Sequence, residues 1–324
     1  MSDKKRVALV MGGKSNEREV SLASGKEVLA HIDKNRFEVS IYDPATDLGQ
    51  LVDNAGKLDL AFLCLHGRYG EDGTIQGLCE MVGLPYTGSG VLASAMAMDK
   101  EIAKRIFRDA GLPVAPDLVV RKESVNDLQA TAKMALFSLG NPVVVKPLCS
   151  GSSVGLSIVD SEEQLSQALA QAFEIDGAVM LEKYLPGKEL TCAVVGNNSL
   201  KALPPIEIIP AHGHRFFDYA AKYEPGQAQE ICPAEVHKEL LDEVQRLSIS
   251  AHTTLGCRGM SRTDLIFSFG NTYILETNTI PGMTSGSLLP KMARAYGLSF
   301  GGFISYIIDL ALTGENLNID VYKD

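Results

Sequence analysis

The sequence predicts an α/β fold in which an open parallel sheet at the N-terminus is followed by two α+β units. In the first third of the chain, apolar runs at 6–11, 37–42 and 60–65 alternate with helical patterns at 20–31 and 74–81, which is typical of a parallel sheet. The length of 324 residues allows two or three domains, at roughly 150 residues per domain. Such sheets bind ligands beyond the carboxyl ends of their strands, so we expect a site in the turns after the first and third strands.

A helical pattern at 91–110, ended by Gly111 and Pro113, separates this sheet from the rest of the chain. A second helix at 127–139 and a three-valine strand that ends at Lys146 fit a small α+β unit. Further strand-like runs and two C-terminal helices follow. The predicted domains are 1–96, 97–185 and 186–324.

Composition narrows the class of protein. Hydrophobic residues make up 45% and charged residues 22%, which is typical of a folded globular chain and excludes disorder as the main state. The net charge of -10, without any sustained Lys/Arg run, argues against nucleic acid or an anionic membrane as a partner. The six scattered cysteines are expected to be reduced, and no apolar stretch approaches the roughly 18 residues needed to cross a bilayer. We therefore expect a cytoplasmic protein.

Two nucleotide-binding patterns in the N-terminal third are discounted. The run 8–15 fits a relaxed phosphate loop, but Ala8 stands where glycine is required and the strand itself supplies the first four residues. The run 88–93 fits a relaxed dinucleotide pattern, but the strand before it is short and no acidic strand end follows about 20 residues later. A tight turn that opens a helix is the better interpretation of the second run.

The Ser/Gly loop at 150–155 is a candidate phosphate site because Lys146 ends the strand that leads into it. Backbone N–H groups of a glycine-rich loop can lie along a triphosphate, and the lysine would neutralise its charge. Taken alone, the pattern is more typical of a surface loop with a solvated lysine.

The strongest local pattern places Arg262 and Asp264 on one strand-like run and Glu276 and Asn278 on the next. A three-residue loop centred on Gly270 pairs Asp264 directly with Glu276, whereas a two-residue turn that begins at Gly270 would put Asp264 on the opposite face. We favour the three-residue loop. Facing carboxylates and an amide oxygen suit Mg²⁺. The alternative is a solvated hairpin, which the apolar residues between these positions disfavour.

Weaker signals surround these patterns. Glu17 and Glu19 fall in the first turn of a predicted helix, where acids commonly stabilise the N-terminus. The other signals are His66 before a glycine-rich turn, Lys222 and Tyr223 in a weakly periodic segment at 211–230 that fits a mobile lid, and the turn 281–287, which runs into a helix.

Together the motifs resemble the ATP-grasp ligases, and within them the D-alanine–D-alanine ligase family. The resemblance extends over nearly the whole chain, and several blocks are specific to dipeptide ligases. The matching blocks are 17–21, 65–68, 70–73, 86–90, 98–100, 146–147, 151–155, 262–264 and 276–287. The resemblance implies a three-domain ATP-grasp architecture in which two α+β domains enclose ATP.

The resemblance also implies the nucleotide and metal ligands. Lys100, Lys146 and Lys222 would contact the phosphates together with the loop that contains Ser152, and Glu189 would hold the ribose. The strand formed by Glu182, Lys183, Tyr184 and Leu185 would meet adenine. Asp264, Glu276 and Asn278 would bind two Mg²⁺ ions, for which Mn²⁺ is an alternative.

The substrates implied are two D-alanine molecules. Glu17 would hold the ammonium group of the first, linked to the lid through Ser152 and Tyr223, with His66 beside it. Ser287 and Leu288 would receive the carboxylate of the second, and Arg262 and the Gly282 N–H would stabilise the tetrahedral oxyanion. The product would serve peptidoglycan precursor synthesis, and the family likeness implies a homodimer through the N-terminal domains.

Two departures from the family pattern leave the second substrate open. Ala220 stands where relatives often have an acid, and Gly286 replaces a bulkier residue, which leaves room near the acceptor. Tyr223 favours an amine over a hydroxyl acceptor. The alternatives are a ligase with D-lactate or D-serine as acceptor, a small-molecule kinase that stops at phosphoryl transfer, and a nucleotide-binding module without turnover.

Overall fold

The computed structural model describes residues 4–148, 155–210, 228–315 and 317–323. The strands are β1 (Lys5–Val10), β2 (Phe37–Tyr42), β3 (Leu60–Leu63), β4 (Asp117–Arg121), β5 (Val143–Pro147), β6 (Ser157–Val159), β7 (Ala178–Lys183), β8 (Lys188–Gly196), β9 (Lys201–Ala202), β10 (Ile206–Pro210), β11 (Ala228–Ile231), β12 (Gly259–Ser268) and β13 (Asn271–Asn278). The helices are α1 (Arg18–His31), α2 (Leu48–Asn54), α3 (Thr74–Met81), α4 (Val91–Met98), α5 (Lys100–Asp109), α6 (Leu128–Leu139), α7 (Glu162–Ala172), α8 (Lys238–Thr254), α9 (Leu288–Tyr296) and α10 (Phe300–Thr313).

The N-terminal sheet is parallel, as predicted, with strand order β2-β1-β3. Val7 on the central strand pairs with Val39 on β2 and with Leu60 on β3. Residues on both faces of β1 are buried, because helices or the rest of the chain cover each face. The turns after β1 and β3 therefore meet at one edge of the sheet, and they carry Gly12 and His66.

The central sheet has the order β4-β7-β5-β6, and all of its pairings are antiparallel. Helices α6 and α7 cover one face, where Ala132 and Leu165 pack in the same buried core as Val145. Asp127 caps α6 through its carboxylate, which accepts from the backbone N–H of Gln129, so the helix predicted at 127–139 is confirmed.

The third sheet has the order β11-β10-β8-β12-β13, with β9 beside β8. The helical pattern at 91–110 was predicted as one helix, but the structure breaks it at Asp99, whose extended backbone separates α4 from α5. The Asp99 carboxylate accepts from the Ile102 N–H at 3.0 Å and caps α5. This cap places Lys100 in the first turn of α5.

Helices α4 and α5 pack on the third sheet. Ala97 of α4 and Phe107 of α5 share a buried core with Leu265 of β12 and Ile274 of β13. The boundary predicted at 96/97 falls within α4, just before the break at Asp99, and the division into three domains stays a prediction. The position of α5 brings Lys100 next to Glu276 of β13.

Two further findings concern the cysteines and the length of the apolar helices. The five cysteines within the described residues form no disulfide, and four of them are buried. No helix in the described part of the chain is both long and apolar enough to cross a membrane.

Candidate active site

The hairpin β12–β13 pairs Asp264 with Glu276 and Arg262 with Asn278, so these four side chains share one face. The predicted pairing of the two acids is confirmed, but the predicted three-residue loop is wrong. The turn contains two residues, because Ser268 pairs with Asn271.

Phe269 and Gly270 both have positive φ angles, 49° and 79°, as a tight hairpin turn with a right-handed twist requires. A one-residue bulge then restores the pairing of the acids: the register shifts between Asp264 and Leu265, which pairs with Ile274 and leaves Leu275 as the extra residue. The bulge therefore moves the acids into line, a role that the sequence analysis gave to the loop.

The Asp264 carboxylate is the centre of a hydrogen-bonded cluster. Arg262 donates Nε–H and Nη2–H to its two oxygens, each at 2.8 Å, in the bidentate geometry typical of arginine and carboxylate. Thr191 donates to Oδ1 at 2.6 Å and Asn278 to Oδ2 at 3.3 Å. Two predicted roles, metal ligand for Asp264 and oxyanion donor for Arg262, thus fall on groups that bind each other in this structure.

Two of the three lysines predicted to bind phosphate, Lys100 and Lys146, face this hairpin. Lys100 Nζ lies 3.9 Å from Glu276 Oε2. Burial lowers the pKa of Lys146, but Glu182, followed by Glu276 and Glu189, outweighs it, and the net pKa is raised. Lys146 is therefore held as a cation in the cleft that the predicted ribose ligand Glu189 and the predicted metal ligand Glu276 also face.

The strand predicted to meet adenine borders the same cleft. The Lys183 N–H donates to the Pro116 carbonyl at 2.9 Å, and the Tyr184 N–H donates to the Pro142 carbonyl at 3.3 Å. Leu185 is buried. The segment is thus tied to its neighbours by its backbone, and its contact with adenine stays a prediction.

Glu182 has a different environment from the rest of that strand. Its side chain is buried, and its carboxylate pairs with Lys104 and, at 2.5 Å, with Lys146. The immediate partners of the carboxylate are therefore lysines, one of which is a predicted phosphate ligand.

A cavity of about 430 Å³ lies where the N-terminal edge meets the hairpin. Of the predicted site residues, it is lined by Glu17, His66, Lys100, Arg262, Glu276, Asn278, Gly282, Ser287 and Leu288. The cavity thus brings together both predicted D-alanine subsites and two of the three predicted metal ligands. A volume of this size suits small ligands rather than polymers.

Glu17 is the residue before the first turn of α1, and its side chain makes no capping hydrogen bond. Its carboxylate instead lies against Gly67, which has φ +66°, and a Cβ at that position would overlap Glu17 Oε2. Glu17 is thus next to the helix N-terminus, as predicted, but its side chain does not cap the helix. The side chain points into the cavity.

Glu71 is a further acid of the cavity that the sequence analysis did not single out. Its Oε2 accepts from the Gly67 N–H at 2.7 Å. Burial, the Glu17 carboxylate and, to a smaller extent, Glu276 raise the pKa of Glu71 to about 8, against the opposing effects of this hydrogen bond and of Arg262. The sequence signal that could have identified Glu71 is its position in a polar glycine-rich turn.

His66 follows β3 and is buried, with Nε2 3.3 Å from Ser24 Oγ. Burial and the nearby Arg262 guanidinium lower its pKa to about 4, although the backbone of Ile280 acts in the opposite direction. The imidazole is therefore neutral near pH 7, as a hydrogen-bonding partner beside a bound substrate would be.

The far end of the cavity is the N-terminus of α9. Ser287 precedes the helix, and its Oγ lies 2.7 Å from Thr284 Oγ1 and accepts from the Thr284 N–H at 3.1 Å. Gly282 packs so closely that a Cβ there would lie 2.9 Å from Ser287 Oγ. With Leu288 in the first turn, this end offers backbone N–H groups to a carboxylate.

Several predicted residues lie outside the described part of the chain. They are Ser152, Lys222, Tyr223, Ala220 and most of the segment 211–230. Their predicted roles stay predictions.

The fold and the site define the ATP-grasp class of ligases. The defining features are the N-terminal parallel sheet, the two α+β units with a cleft between them, and the lysines that face an acidic hairpin. The chain belongs to the D-alanine–D-alanine ligase family. The family model described as D-ala D-ala ligase C-terminus matches residues 106–309, and the model described as D-ala D-ala ligase N-terminus matches residues 6–49 and 44–89.

Relatives agree with this assignment over nearly their full lengths. The D-alanine–D-alanine ligase of Syntrophobacter fumaroxidans is 50% identical over 96% of this chain and 99% of its own, and that of Desulfotalea psychrophila is 47% identical over 96% of both. Among solved structures, the Bacillus anthracis enzyme complexed with ATP superimposes with a TM-score of 0.83 at 36% identity, covering 95% of this chain and 97% of that one. The VanG D-Ala:D-Ser ligase of Enterococcus faecalis gives 0.80 at 30% identity, covering 95% and 100%.

Proposed function

We propose that this protein joins two D-alanine molecules at the expense of ATP, through an acyl phosphate of the first. The observation that carries the proposal is the position of the Asp264–Glu276 pair. Glu276 of this pair faces Lys100 and Lys146 on one side, and on the other it lines the cavity that contains Glu17 and Ser287. A nucleotide site and an amino-acid site therefore meet at one hairpin.

The residues of the hairpin fit Mg²⁺. Asp264 and Glu276 are directly opposite each other, and the Asn278 amide lies within 3.3 Å of Asp264. Hard oxygen donors in this arrangement suit Mg²⁺, which completes its coordination with water and phosphate oxygens. When bound there, Mg²⁺ would neutralise the phosphate charge that develops during transfer.

The first step would be phosphoryl transfer. A carboxylate oxygen of the first D-alanine attacks the γ-phosphorus of ATP, the bond to the β–γ bridging oxygen breaks, and ADP leaves. Glu17 would hold the ammonium group of this D-alanine, and Lys100 and Lys146 would hold the phosphates. These contacts align the carboxylate with the phosphorus.

In the second step, the amine of the second D-alanine attacks the carbonyl carbon of the acyl phosphate. The C–O bond to phosphate breaks, phosphate leaves, and the amine loses its proton. Arg262 and the Gly282 N–H would stabilise the negative oxygen of the tetrahedral intermediate. The α9 N-terminus with Ser287 and Leu288 would hold the carboxylate of the acceptor.

The test is ADP release with Mg-ATP and D-alanine, with products identified by mass. Stoichiometric ADP and D-alanyl-D-alanine are expected, whereas L-alanine gives neither. ADP without a condensed product would show a kinase and contradict the proposal. Mixtures with D-lactate or D-serine measure the acceptor preference, because exposed Gly286 leaves room at that end of the cavity.

The wider setting forms part of the same proposal. The dipeptide would enter peptidoglycan precursor synthesis in the cytoplasm, and the protein would act as a homodimer. Family membership supports these statements.

A further inference from the structure

Lys104 of α5 is a buried lysine to which the sequence analysis gave no role. Its side chain is only 2% exposed. Its Nζ donates to the Ala115 carbonyl at 2.8 Å, lies 3.0 Å from Asp117 Oδ1, and pairs with Glu182 Oε1. Burying an ammonium group costs several kcal/mol unless it is paired and hydrogen-bonded, so these three acceptors are what allows a lysine here.

Glu182 divides its two carboxylate oxygens between two lysines. Oε1 binds Lys104, and Oε2 binds Lys146 at 2.5 Å. Burial would raise the pKa of Glu182, but Lys146 and Lys104 outweigh it and lower the pKa to about 2. The carboxylate is therefore ionised near neutral pH, and each oxygen is engaged by a different ammonium group.

The helix that carries Lys104 connects the two sides of the nucleotide cleft. Ala103 and Phe107 of α5 pack in the core of the third sheet, whereas Lys104 reaches β7 of the central sheet. Lys100, one turn earlier on the same helix, lies at Glu276. Of the two predicted phosphate lysines within the described residues, Lys100 is thus held by the α5 backbone, and Lys146 is held through Glu182.

We propose that Lys104 is a positioning residue for nucleotide binding. It holds Glu182 Oε1, so that Oε2 keeps the Lys146 ammonium group at the mouth of the cleft at a fixed spacing from Lys100. The inference rests on the proposed function, in which both lysines bind ATP phosphates. Without Lys104, both oxygens of Glu182 would be available to Lys146 and would compete with phosphate for its ammonium group.

The test is calorimetric binding of the Mg²⁺ complex of AMP-PNP, a non-hydrolysable ATP analogue, to the full chain. Lys104→Met preserves side-chain length without the charge, and we expect it to weaken binding at least about tenfold, the scale of one hydrogen bond to a charged group. In steady-state assays the KM for ATP should rise, while kcat at saturating ATP and the KM for D-alanine stay within about twofold.

The matched control is Arg105→Met. Arg105 is the next residue on α5, but it is exposed and pairs with Glu101 on the same helix. We expect its nucleotide affinity to equal that of the wild type. Equal weakening in both variants would show a general disturbance of α5 and would overturn the positioning role.

A double-mutant cycle separates positioning from structure. If Lys104 acts through Glu182 on Lys146, then Lys104→Met in a Lys146→Met background should change affinity by less than about twofold. Independent, multiplicative effects would overturn the proposal. If Lys104→Met does not fold, Asp117→Asn carries the test with an expected weakening of about threefold, and unchanged binding there would overturn it.

The outcomes separate this inference from the proposed function. A wild-type chain that binds no AMP-PNP contradicts the proposed function itself. If the Lys104→Met variant binds AMP-PNP as tightly as the wild type, only the role of Lys104 is contradicted.

Discussion

At the proposed nucleotide end of the cleft, formed by Lys104, Lys146 and Glu182, buried opposite charges already bind one another. At the substrate end, in the cavity that contains Glu17 and Glu71, carboxylates crowd together instead, and their repulsion contributes to the raised pKa of Glu71. The two ends lie on either side of one hairpin, yet one contains paired opposite charges and the other contains like charges.

The difference indicates which kind of ligand suits each end. A network of paired charges holds its members in fixed positions, which suits a large ligand such as a nucleotide that must be aligned. A cavity with excess acid attracts a small cation, and an amino acid brings its ammonium group. Removing one charge at the first end should therefore lower the stability of the folded protein, whereas removing one carboxylate at the second end should raise it.

The largest effect is expected where the two ends meet, at Glu276. Glu276→Gln should lower turnover about a thousandfold or more, equivalent to about 4 kcal/mol of transition-state stabilisation, because it removes a proposed anionic metal ligand. The measurement is kcat from ADP release at saturating substrates. Glu243→Gln is the control, since Glu243 contacts the other end of the hairpin through Thr272. Unchanged activity in Glu276→Gln would contradict the metal assignment.

At the nucleotide end, Glu182→Gln should lower the free energy of unfolding by about 3 kcal/mol, because two buried lysines lose their shared anion. Denaturant titration measures it. Since the folded-state pKa of about 2 lies below the usual value of 4.5, the stabilisation is present above pH 4.5 and is lost as the pH falls toward 2. The variant should lack this acid-dependent loss.

Glu174→Gln is the matched control for Glu182→Gln. The exposed pair of Glu174 with Lys122 lies in the same α+β unit and should contribute less than about 0.5 kcal/mol. If both variants lose the same free energy of unfolding, the buried ion pairs of Glu182 contribute no more to stability than an exposed pair.

A change between the two acids of the substrate end comes next. Gly67→Ala should destabilise the fold by about 1–2 kcal/mol through its positive φ and should also raise the KM for D-alanine, because the new Cβ displaces the Glu17 carboxylate. Gly111 has φ +73° with open space around it, so Gly111→Ala carries the same backbone strain without that contact. A raised KM in both variants would contradict the role given to Glu17.

The smallest effect is expected for Glu71→Gln, and it has the opposite sign. Because the folded-state pKa of about 8 exceeds the usual 4.5, the folded chain keeps a proton that the unfolded chain loses, and stability falls as the pH rises between these values. The variant should lack this loss and be more stable than the wild type at pH 8, by on the order of 1 kcal/mol. Denaturant titrations at pH 5 and pH 8, which should differ less in the variant, measure it.

The sequence predicted the parallel sheet and the acid pair because both depend on local alternation of side chains. It predicted the pairing of Asp264 with Glu276 through the wrong loop, since a bulge at Leu275 depends on packing between strands and leaves no local pattern. The break at Asp99 was missed for a related reason. The apolar residues of α4 and α5 continue one helical pattern, and the cap is a single aspartate within it.

Lys104 and Glu71 were missed because their chemistry depends on tertiary neighbours. A lysine on an amphipathic helix is ordinarily solvated, and only the approach of β7 converts Lys104 into a buried cation. Glu71 belongs to a turn whose polarity was visible, but its altered titration requires Glu17 from a different element. Sequence spacing identifies candidate groups, and their protonation follows from the fold.

The bulge at Leu275 lies between the turn at the tip of the hairpin and the paired acids. Strand β12 keeps an unbroken register with β8 from Gly259 to Phe267, so Asp264 is held by β8 rather than through the turn. Phe269, 81% exposed at the tip, is therefore a suitable place to attach a fluorophore or an affinity handle. A label there would be fixed to the third sheet and would report on its distance from the central sheet, without touching the carboxylates.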